Sequence, residues 1–169
     1  MLLTEGKIIR IDLSKNKYVF EEFRKYYEMF LGGRGVNQYI LFSETPIRTP
    51  WFDPSNLLAV GAGLLCGTEA PGASRISIDS RNPFNDGIGS ANAGGNFGYE
   101  MRRAGITNIV ILGRSEELCY IVIDDDTVKI VRCPELKFKK VSETNKIIKE
   151  REGADFEVLC IGPAGENLV

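Results

Sequence analysis

The chain has 169 residues, of which 43% are hydrophobic and 26% are charged, and its 21 basic and 23 acidic residues leave a net charge of −2. These values exclude a disordered polar chain, and because no basic run is interleaved with aromatic residues we expect no nucleic-acid partner. The sequence contains no histidine, which excludes histidine metal ligands and the histidine-dependent activation of a serine or cysteine nucleophile.

Neither the N terminus nor the cysteines indicate export, membrane insertion or metal binding. Residues 1–6 lack a basic region followed by a long apolar stretch, and nowhere do about 18 apolar residues run together. We therefore expect a soluble, cytoplasmic protein with no membrane contact. The four cysteines, Cys66, Cys119, Cys133 and Cys160, form no Cys-x-x-Cys pair, and we interpret them as small buried hydrophobic residues in preference to a metal site.

Hydrophobic periodicity predicts both strands and helices in the first part of the chain. In chain order, the predicted elements are a β-hairpin (7–13 and 18–20), a helix (23–31), a second helix (36–42) and a strand (57–60). Gly32 and Gly33 follow the first helix, where glycine commonly supplies the left-handed conformation that ends a helix. The glycine-rich segment Gly61-Ala62-Gly63 opens a loop after the strand.

The same periodicities continue in the second part of the chain. In chain order, the predicted elements are a strand (75–79), a loop (81–89), a segment (91–96) that leads into a helix, a strand (108–112), a β-hairpin (118–123 and 128–131), a helix from about Ser142 and a strand (156–161). Gly105 and Gly153 are predicted to end the two helices.

Hairpins dominate this prediction, and few strand-helix-strand units have the length that a parallel crossover needs. The predicted fold class is therefore α+β, with largely antiparallel β-sheets and helices. The order hairpin, helix, strand and glycine-bearing loop occurs over residues 7–63 and again over residues 118–165. This succession suggests two duplicated halves, but a chance succession of common elements explains it equally well because the identity between the halves is slight.

Glycine is over-represented, with 18 in 169 residues against an average of roughly 7%. For Gly32 and Gly33 the end of a helix is the favoured interpretation. For Ala91-Asn92-Ala93-Gly94-Gly95 a functional interpretation is favoured, because the segment precedes a helix whose free amides and positive dipole end attract anions. A Rossmann fingerprint at Gly61 fails because the required helix is blocked, and no P-loop string is present.

Four glycine-rich strings carry a resemblance to a known family. They are Gly32-Gly33-Arg34-Gly35, Gly67-Thr68-Glu69-Ala70-Pro71-Gly72-Ala73-Ser74-Arg75, Ala91-Asn92-Ala93-Gly94-Gly95-Asn96-Phe97-Gly98 and Ile161-Gly162-Pro163-Ala164-Gly165-Glu166-Asn167-Leu168. In their order and spacing they resemble the N-terminal domain of the tungsten-containing aldehyde:ferredoxin oxidoreductases. The resemblance runs along the whole chain and implies one domain over residues 1–169, in which β-sheets and helices form a base for a tungsten ion held by two pterin dithiolenes.

The resemblance also implies roles for five residues. The backbone carbonyl of Asn92 would bind the magnesium ion that bridges the two pterin phosphates. Ala93 and Gly94 would border a pterin, with Gly95 beside them in the same cofactor-binding segment. Arg75 corresponds to the family's arginine between a pterin and the iron-sulfur cluster, whereas its residue type alone would favour a surface strand arginine with an ion-pair partner.

A cofactor base of this kind has geometric consequences. We expect Arg75, residues 92–95 and residues 32–35 to converge on one concave face, where the arginine and free amides offer positive charge to phosphates. A base that carries a large cofactor and further domains should also expose an apolar, glycine-lined face, through which the chain can form a homo-oligomer.

The function implied by the resemblance is that of an enzyme part. With its remaining domains, the protein would oxidise an aldehyde to a carboxylic acid at tungsten, or at molybdenum, and pass electrons through a [4Fe-4S] cluster to ferredoxin. Family members continue beyond this length with the cluster cysteines and the residues beside the metal. We therefore expect the 169-residue chain alone to be inactive and free of iron and tungsten. The alternative is a non-catalytic, stand-alone module that binds a pterin or a partner.

Overall fold

The computed structural model describes residues 5–169 and has a mixed α+β fold. The strands are β1 (Lys7–Asp12), β2 (Lys17–Glu22), β3 (Leu58–Ala62), β4 (Ile76–Arg81), β5 (Ile88–Ala93), β6 (Ile106–Leu112), β7 (Cys119–Asp124) and β8 (Thr127–Arg132). The helices are α1 (Arg24–Phe30), α2 (Gly33–Glu44), α3 (Phe97–Arg103), α4 (Val141–Glu152) and α5 (Pro163–Glu166), with a 3-10 helix at Pro134–Leu136. Within residues 5–169, no helix has the length and apolar character needed to cross a membrane.

A six-stranded sheet forms the centre of the fold, with the strand order β2-β1-β6-β3-β4-β5. Its neighbouring strands are antiparallel except β1 and β6, which are parallel. The strands β7 and β8 form a separate antiparallel pair. The predicted α+β class with largely antiparallel sheets is therefore confirmed.

The central sheet buries side chains on both of its faces. One core contains α2 and consists mainly of Ile8, Val36, Ile40, Ala59 and Val110. The other core contains α3 and the β7–β8 pair and consists mainly of Ile9, Val60, Met101, Ile109 and Val128. Because successive residues of a strand point to opposite faces, neighbours such as Ile8 and Ile9 enter different cores. Each such fully buried side chain contributes about 1.5–3 kcal/mol of hydrophobic stabilisation.

Glycine ends the helices α3 and α4 as predicted, but it does not end α1. Gly105 follows α3 with a φ of 77°, and Gly153 caps α4 with a φ of 128°. At the end of α1, Leu31 itself adopts the left-handed conformation, with a φ of 60°, and its N–H donates to the carbonyl of Tyr27. The connection to α2 is so short that Gly32 serves as the residue preceding the next helix. The prediction that Gly32 and Gly33 end the first helix is therefore wrong.

Two predictions for the second part of the chain are also wrong. Residues 88–93 form the strand β5, not a loop and the approach to a helix. This edge strand is built mostly of small, exposed residues, so it lacks the apolar alternation that indicates a strand. Residues 156–161 are irregular and pair with none of the described strands, although Val158 packs against the cluster of Cys133, Leu136 and Ile148. The second occurrence of the repeated element order therefore lacks its strand.

Candidate functional site

Three strands of the central sheet end side by side at one corner. Ile76, the first residue of β4, pairs with the last residue of β3, Ala62, and with the last residue of β5, Ala93. The residues just beyond this row are Gly63, Arg75 and Gly94. Because paired strands run antiparallel and in register here, Arg75 leaves the sheet between two glycines.

The first turn of α2 reaches the same corner. A Cβ added to Gly33 would lie 3.4 Å from the Cα of Gly63, so the helix approaches the end of β3 closely. The Nε of Arg34 donates to the Oγ of Ser77, at 3.4 Å. Ser77 is in turn the register partner of Asn92 on β5. We call Arg34, Gly63, Arg75 and residues 92–95 the arginine–glycine corner.

The structure brings the predicted cofactor-binding residues together at this corner. Arg75 lies one residue before β4, and Gly94 and Gly95 follow β5. Asn92 and Ala93 are not in a loop, as the sequence suggested, but are the last two residues of β5. Since β5 is an edge strand, half of its backbone N–H and C=O groups point away from β4. The roles of these residues in binding a cofactor stay predictions.

The backbone of the glycines at the corner has open space where a side chain would lie. A Cβ added to Gly63, Gly94 or Gly95 would meet no heavy atom within 4 Å. Gly95 has a φ of 98°, a conformation that favours glycine, but Gly63 and Gly94 have no such requirement. Within the described residues, neither backbone strain nor packing therefore requires glycine at positions 63 and 94. Both positions leave room for another group to approach the main chain closely.

The corner also carries two positive charges that no carboxylate contacts. Arg34 and Arg75 are exposed, and neither takes part in a salt bridge within residues 5–169. Among the arginines that do form one are Arg10, Arg81, Arg103, Arg132 and Arg151. A guanidinium with a free planar fork suits bidentate recognition of a phosphate or carboxylate. The corner is therefore suited to an anionic group.

A buried polar network lies behind the corner, between α2 and the sheet. The Nδ2 of Asn37 donates to Asp79 at 2.7 Å, and the Nδ2 of Asn108 donates to the Oδ1 of Asn37 at 2.7 Å. The hydroxyl of Ser77 donates to Asp79 at 2.8 Å. A Cβ on Gly61 would come within 2.6 Å of Asn108 and 2.7 Å of Asn37, so this glycine is required by packing. Sequence reasoning missed the network, because the paired residues lie 42 and 71 positions apart.

The cysteines do not extend the site. Cys66 and Cys133 are buried, as predicted for small hydrophobic residues, whereas Cys119 and Cys160 are half-buried. Burial raises the pKa of the Cys66 thiol, an effect that the nearby positive charge of Arg102 opposes only in part. In residues 5–169, no three histidine, cysteine or acidic side chains gather as a metal site. The chemistry that the corner itself can perform is binding and orientation.

These features define a class of protein: an α+β domain with an open, cationic and glycine-lined corner that is suited to an anionic ligand. Residues 8–169 match the family described as "Aldehyde ferredoxin oxidoreductase, N-terminal domain". The chain belongs to this family and is an oxidoreductase domain. The resemblance recognised in the four glycine-rich strings is therefore confirmed.

Individual relatives agree with this assignment. The chain is 37% identical over 166 residues to the tungsten-containing aldehyde ferredoxin oxidoreductase of Pyrococcus furiosus, and 39% identical over 166 residues to that of Thermococcus kodakarensis. Both alignments cover 97% of this chain and 27% of the relative. A solved structure, the active site complex BamBC of benzoyl coenzyme A reductase with 1,5-dienoyl-CoA, superposes with a TM-score of 0.91 at 36% identity, covering 96% of this chain and 25% of that chain. The chain thus spans about a quarter of the length of these relatives.

Proposed function

We propose that this chain is the cofactor base of a tungsten- or molybdenum-dependent pterin oxidoreductase that oxidises aldehydes to carboxylic acids, with ferredoxin as the electron acceptor. The observation that carries the proposal is the row in which Arg75 emerges between Gly63 and Gly94. That row combines a positive charge that no carboxylate of residues 5–169 contacts with two glycines whose backbone is open to approach. The membership of the chain in an oxidoreductase family supports the choice of ligand.

The chemistry of the corner fits a bulky, flat and anionic group. Phosphates of a pterin cofactor need positive charge and N–H donors, and Arg75 offers both. The missing side chains at Gly94 and Gly95 let a flat ring approach the main chain. The backbone carbonyl of Asn92 would hold a magnesium ion that neutralises cofactor phosphate charge, because a hard cation prefers oxygen ligands.

The remaining site residues would contribute by lying next to the cofactor. Ala93, Gly94 and Gly95 would border the pterin, and Arg75 would lie between the pterin and a [4Fe-4S] cluster. When bound, the cofactor supplies the two-electron oxidation of the aldehyde, and water provides the second carboxylate oxygen. The residues of this chain bind and orient the group and hold a compensating positive charge beside it.

The whole enzyme's activity requires domains other than this one in our proposal. The cluster ligands, the substrate pocket and the contact with ferredoxin would lie on those domains, in a cytoplasmic protein. Several large apolar side chains in the described part of the chain are well exposed, among them Phe42 (83%), Ile47 (94%) and Phe84 (96%). We propose that such side chains pack against the other domains or a second subunit, and that the isolated chain is inactive.

The proposal is tested by replacing Arg75 in the complete protein that contains this chain. Arg75→Gln removes the charge and keeps the approximate length of the side chain, so we expect a large loss of bound tungsten and pterin in a protein that still folds. Arg114→Gln is the matched control, since Arg114 is also exposed and follows β6 at the opposite end of the sheet from the row at Ile76. Tungsten is measured by mass spectrometry and pterin by the fluorescence of its oxidised form. Full cofactor content in Arg75→Gln would contradict the proposal.

A further inference from the structure

The side chain of Arg34 donates a hydrogen bond to Ser77, and Ser77 in turn donates a hydrogen bond to the buried Asp79. The Nε of Arg34 donates to the Oγ of Ser77 at 3.4 Å, while the hydroxyl hydrogen of Ser77 is directed to Asp79 at 2.8 Å. A hydroxyl that donates to a carboxylate presents its lone pairs to other donors. Asp79 therefore orients the Ser77 hydroxyl as an acceptor, and this hydroxyl, which also lies 3.3 Å from the hydroxyl of Ser90, accepts the Nε–H of Arg34.

Asp79 is unusual because it is fully buried and forms no salt bridge within residues 5–169. Two neutral donors, Asn37 and Ser77, bind one of its oxygens, and its other oxygen has no hydrogen-bond partner. Burial of an acidic side chain away from any cation is costly, and the hydrogen bonds from Asn37 and Ser77 offset part of that cost. The hydrogen-bonded path through Ser77 leads to the guanidinium of Arg34.

The geometry of the Arg34 guanidinium determines which of its N–H donors remain available to a ligand. The Nε–H of Arg34 is engaged by Ser77, so the outer edge formed by the two terminal nitrogens is left for a ligand, and no carboxylate of residues 5–169 pairs with it. Arg34 also lies in the first turn of the 12-residue helix α2, where the helix dipole adds positive potential. Asn92 pairs with Ser77 in register, so Arg34 is hydrogen-bonded at the strand position next to Asn92 in the arginine–glycine corner.

We propose that Arg34 is a second anion-binding residue of the corner, which binds a phosphate group of the ligand, and that Ser77 and the buried Asp79 are its positioning residues. The identity of the ligand rests on the proposed function. The inference about Arg34 concerns an additional residue, which none of the cofactor roles assigned above includes.

The test uses the 169-residue chain labelled with 15N and titrated with inorganic pyrophosphate, with the Nε–H resonances of the arginines as the readout. Pyrophosphate should shift the resonances of both Arg34 and Arg75. Arg34→Gln should weaken pyrophosphate binding about tenfold, as expected for the loss of one charge-assisted pair. Ser77→Ala should weaken it about threefold, the size of one neutral hydrogen bond, and should speed the hydrogen exchange of the Arg34 Nε–H.

Ser80→Ala is the matched control, because Ser80 lies on the same strand and donates to the carbonyl of Leu57, away from Arg34. It should change neither the affinity nor the exchange rate. Asp79→Asn should repeat the effect of Ser77→Ala, and if it does not fold, Ser77→Ala decides alone.

The outcomes separate this inference from the proposed function. If Arg75→Gln weakens pyrophosphate binding but Arg34→Gln does not, the inference is overturned and the proposed function survives. If both arginine variants bind as the wild type does, or if the wild type shows no shift at millimolar pyrophosphate, both fail. If Ser77→Ala leaves the Arg34 exchange rate unchanged, Ser77 and Asp79 are not positioning residues.

Discussion

Arg10 and the two arginines of the arginine–glycine corner use their donors differently. On the β1–β2 side, the guanidinium of Arg10 binds the carboxylates of Glu21 at 2.6 Å and Glu44 at 2.7 and 2.8 Å. On the β4–β5 side, Arg34 and Arg75 contact no carboxylate within residues 5–169. An arginine whose donors are satisfied inside the chain supports the fold, whereas one whose donors are open is available to a ligand. The contrast therefore separates a structural cluster from a candidate binding site.

The ionisation of the Arg10 cluster agrees with a structural role. Burial alone would lower the pKa of Arg10, but hydrogen bonds to Glu44 and Glu21 outweigh it and raise the pKa above its ordinary value. Burial would likewise raise the pKa of Glu21, but hydrogen bonds from Lys25 and Arg10 outweigh it and hold the pKa below 4.5. Each charge in this cluster thus stabilises the charged form of its partner.

Gly61 and Gly63 show the same contrast between a position used by the fold and a position open to a ligand. A Cβ on Gly61 would meet Asn108, Asn37 and the carbonyl of Gly33, all closer than real Cβ contacts allow. A Cβ on Gly63 would meet nothing within 4 Å. Glycine is thus required by internal packing at the first position and by nothing inside the described chain at the second.

The largest effect on folding that we predict comes from Gly61→Ala. The added methyl group would push against a backbone carbonyl and two hydrogen-bonded amides that cannot move independently, so we expect the free energy of unfolding to fall by about 3 kcal/mol. Gly63→Ala is the matched control and should change it by less than about 0.5 kcal/mol. Urea denaturation of both variants measures the difference. Equal stabilities for the two variants would remove the distinction between packed and open glycines.

The second prediction concerns Arg10→Gln. This change leaves Glu21 and Glu44 without their shared cation, and we expect the free energy of unfolding to fall by about 2 kcal/mol. Breaking a fully buried pair costs about 3–5 kcal/mol, and we expect less here because the side chain of Glu44 is 38% exposed. Arg75→Gln should change the stability by less than about 0.5 kcal/mol. Thermal and urea unfolding give both values. A loss of similar size in Arg75→Gln would mean that Arg75 is held by contacts within the chain.

The third prediction is the pH dependence of the same cluster. Because the pKa of Glu21 is lowered in the folded state, its contribution to stability is complete above pH 4.5 and is lost as the pH falls through the folded pKa. The free energy of unfolding should therefore decrease on acidification below pH 4.5. In Arg10→Gln the pKa of Glu21 rises towards its ordinary value, so the decrease attributable to this group should be smaller. An identical acid dependence in the variant and the wild type would exclude Arg10 as a cause of the lowered pKa.

The sequence was most informative where apolar segments are separated by a clear turn. The hairpin at β1 and β2 has apolar residues on both sides of the polar turn at residues 14–17, and its prediction was confirmed. The strand β5 was missed because its residues 89–93 are glycine, serine, alanine and asparagine, and an exposed edge strand needs no apolar alternation. The apolar run at residues 156–161 misled for the opposite reason, since burial against Cys133 and Leu136 does not require strand pairing.

The candidate site was predicted in part. The residues found from the sequence lie in short local strings, and the contact that was missed joins residues far apart in the sequence. Arg75 and residues 92–95 were found from family strings, and the pairing of β4 with β5 explains why they meet. The link from Arg34 through Ser77 to Asp79 was not found, because it joins residues 43 positions apart through side chains that carry no spacing rule. Only the appearance of Asp79 in a predicted buried strand could have indicated it.

The last prediction concerns Gly94→Ala, which should not destabilise the fold and carries the contrast into the binding site. A Cβ at this position meets no heavy atom within 4 Å and the backbone is not left-handed, so folding should be unaffected or gain up to about 1 kcal/mol from reduced freedom of the unfolded chain. In the complete protein, the same methyl group would stand where the pterin is proposed to approach the main chain, and the pterin content should fall. Gly72→Ala is an imperfect control because Gly72 has a φ of 71°, so Gly63→Ala, with an equally open Cβ position, is the better comparison for stability. Normal stability together with lost pterin would show that glycine at position 94 serves a ligand. Normal stability with full pterin content would mean that the open space in front of Gly94 faces only solvent, and the assignment of Gly94 to the cofactor would then be wrong.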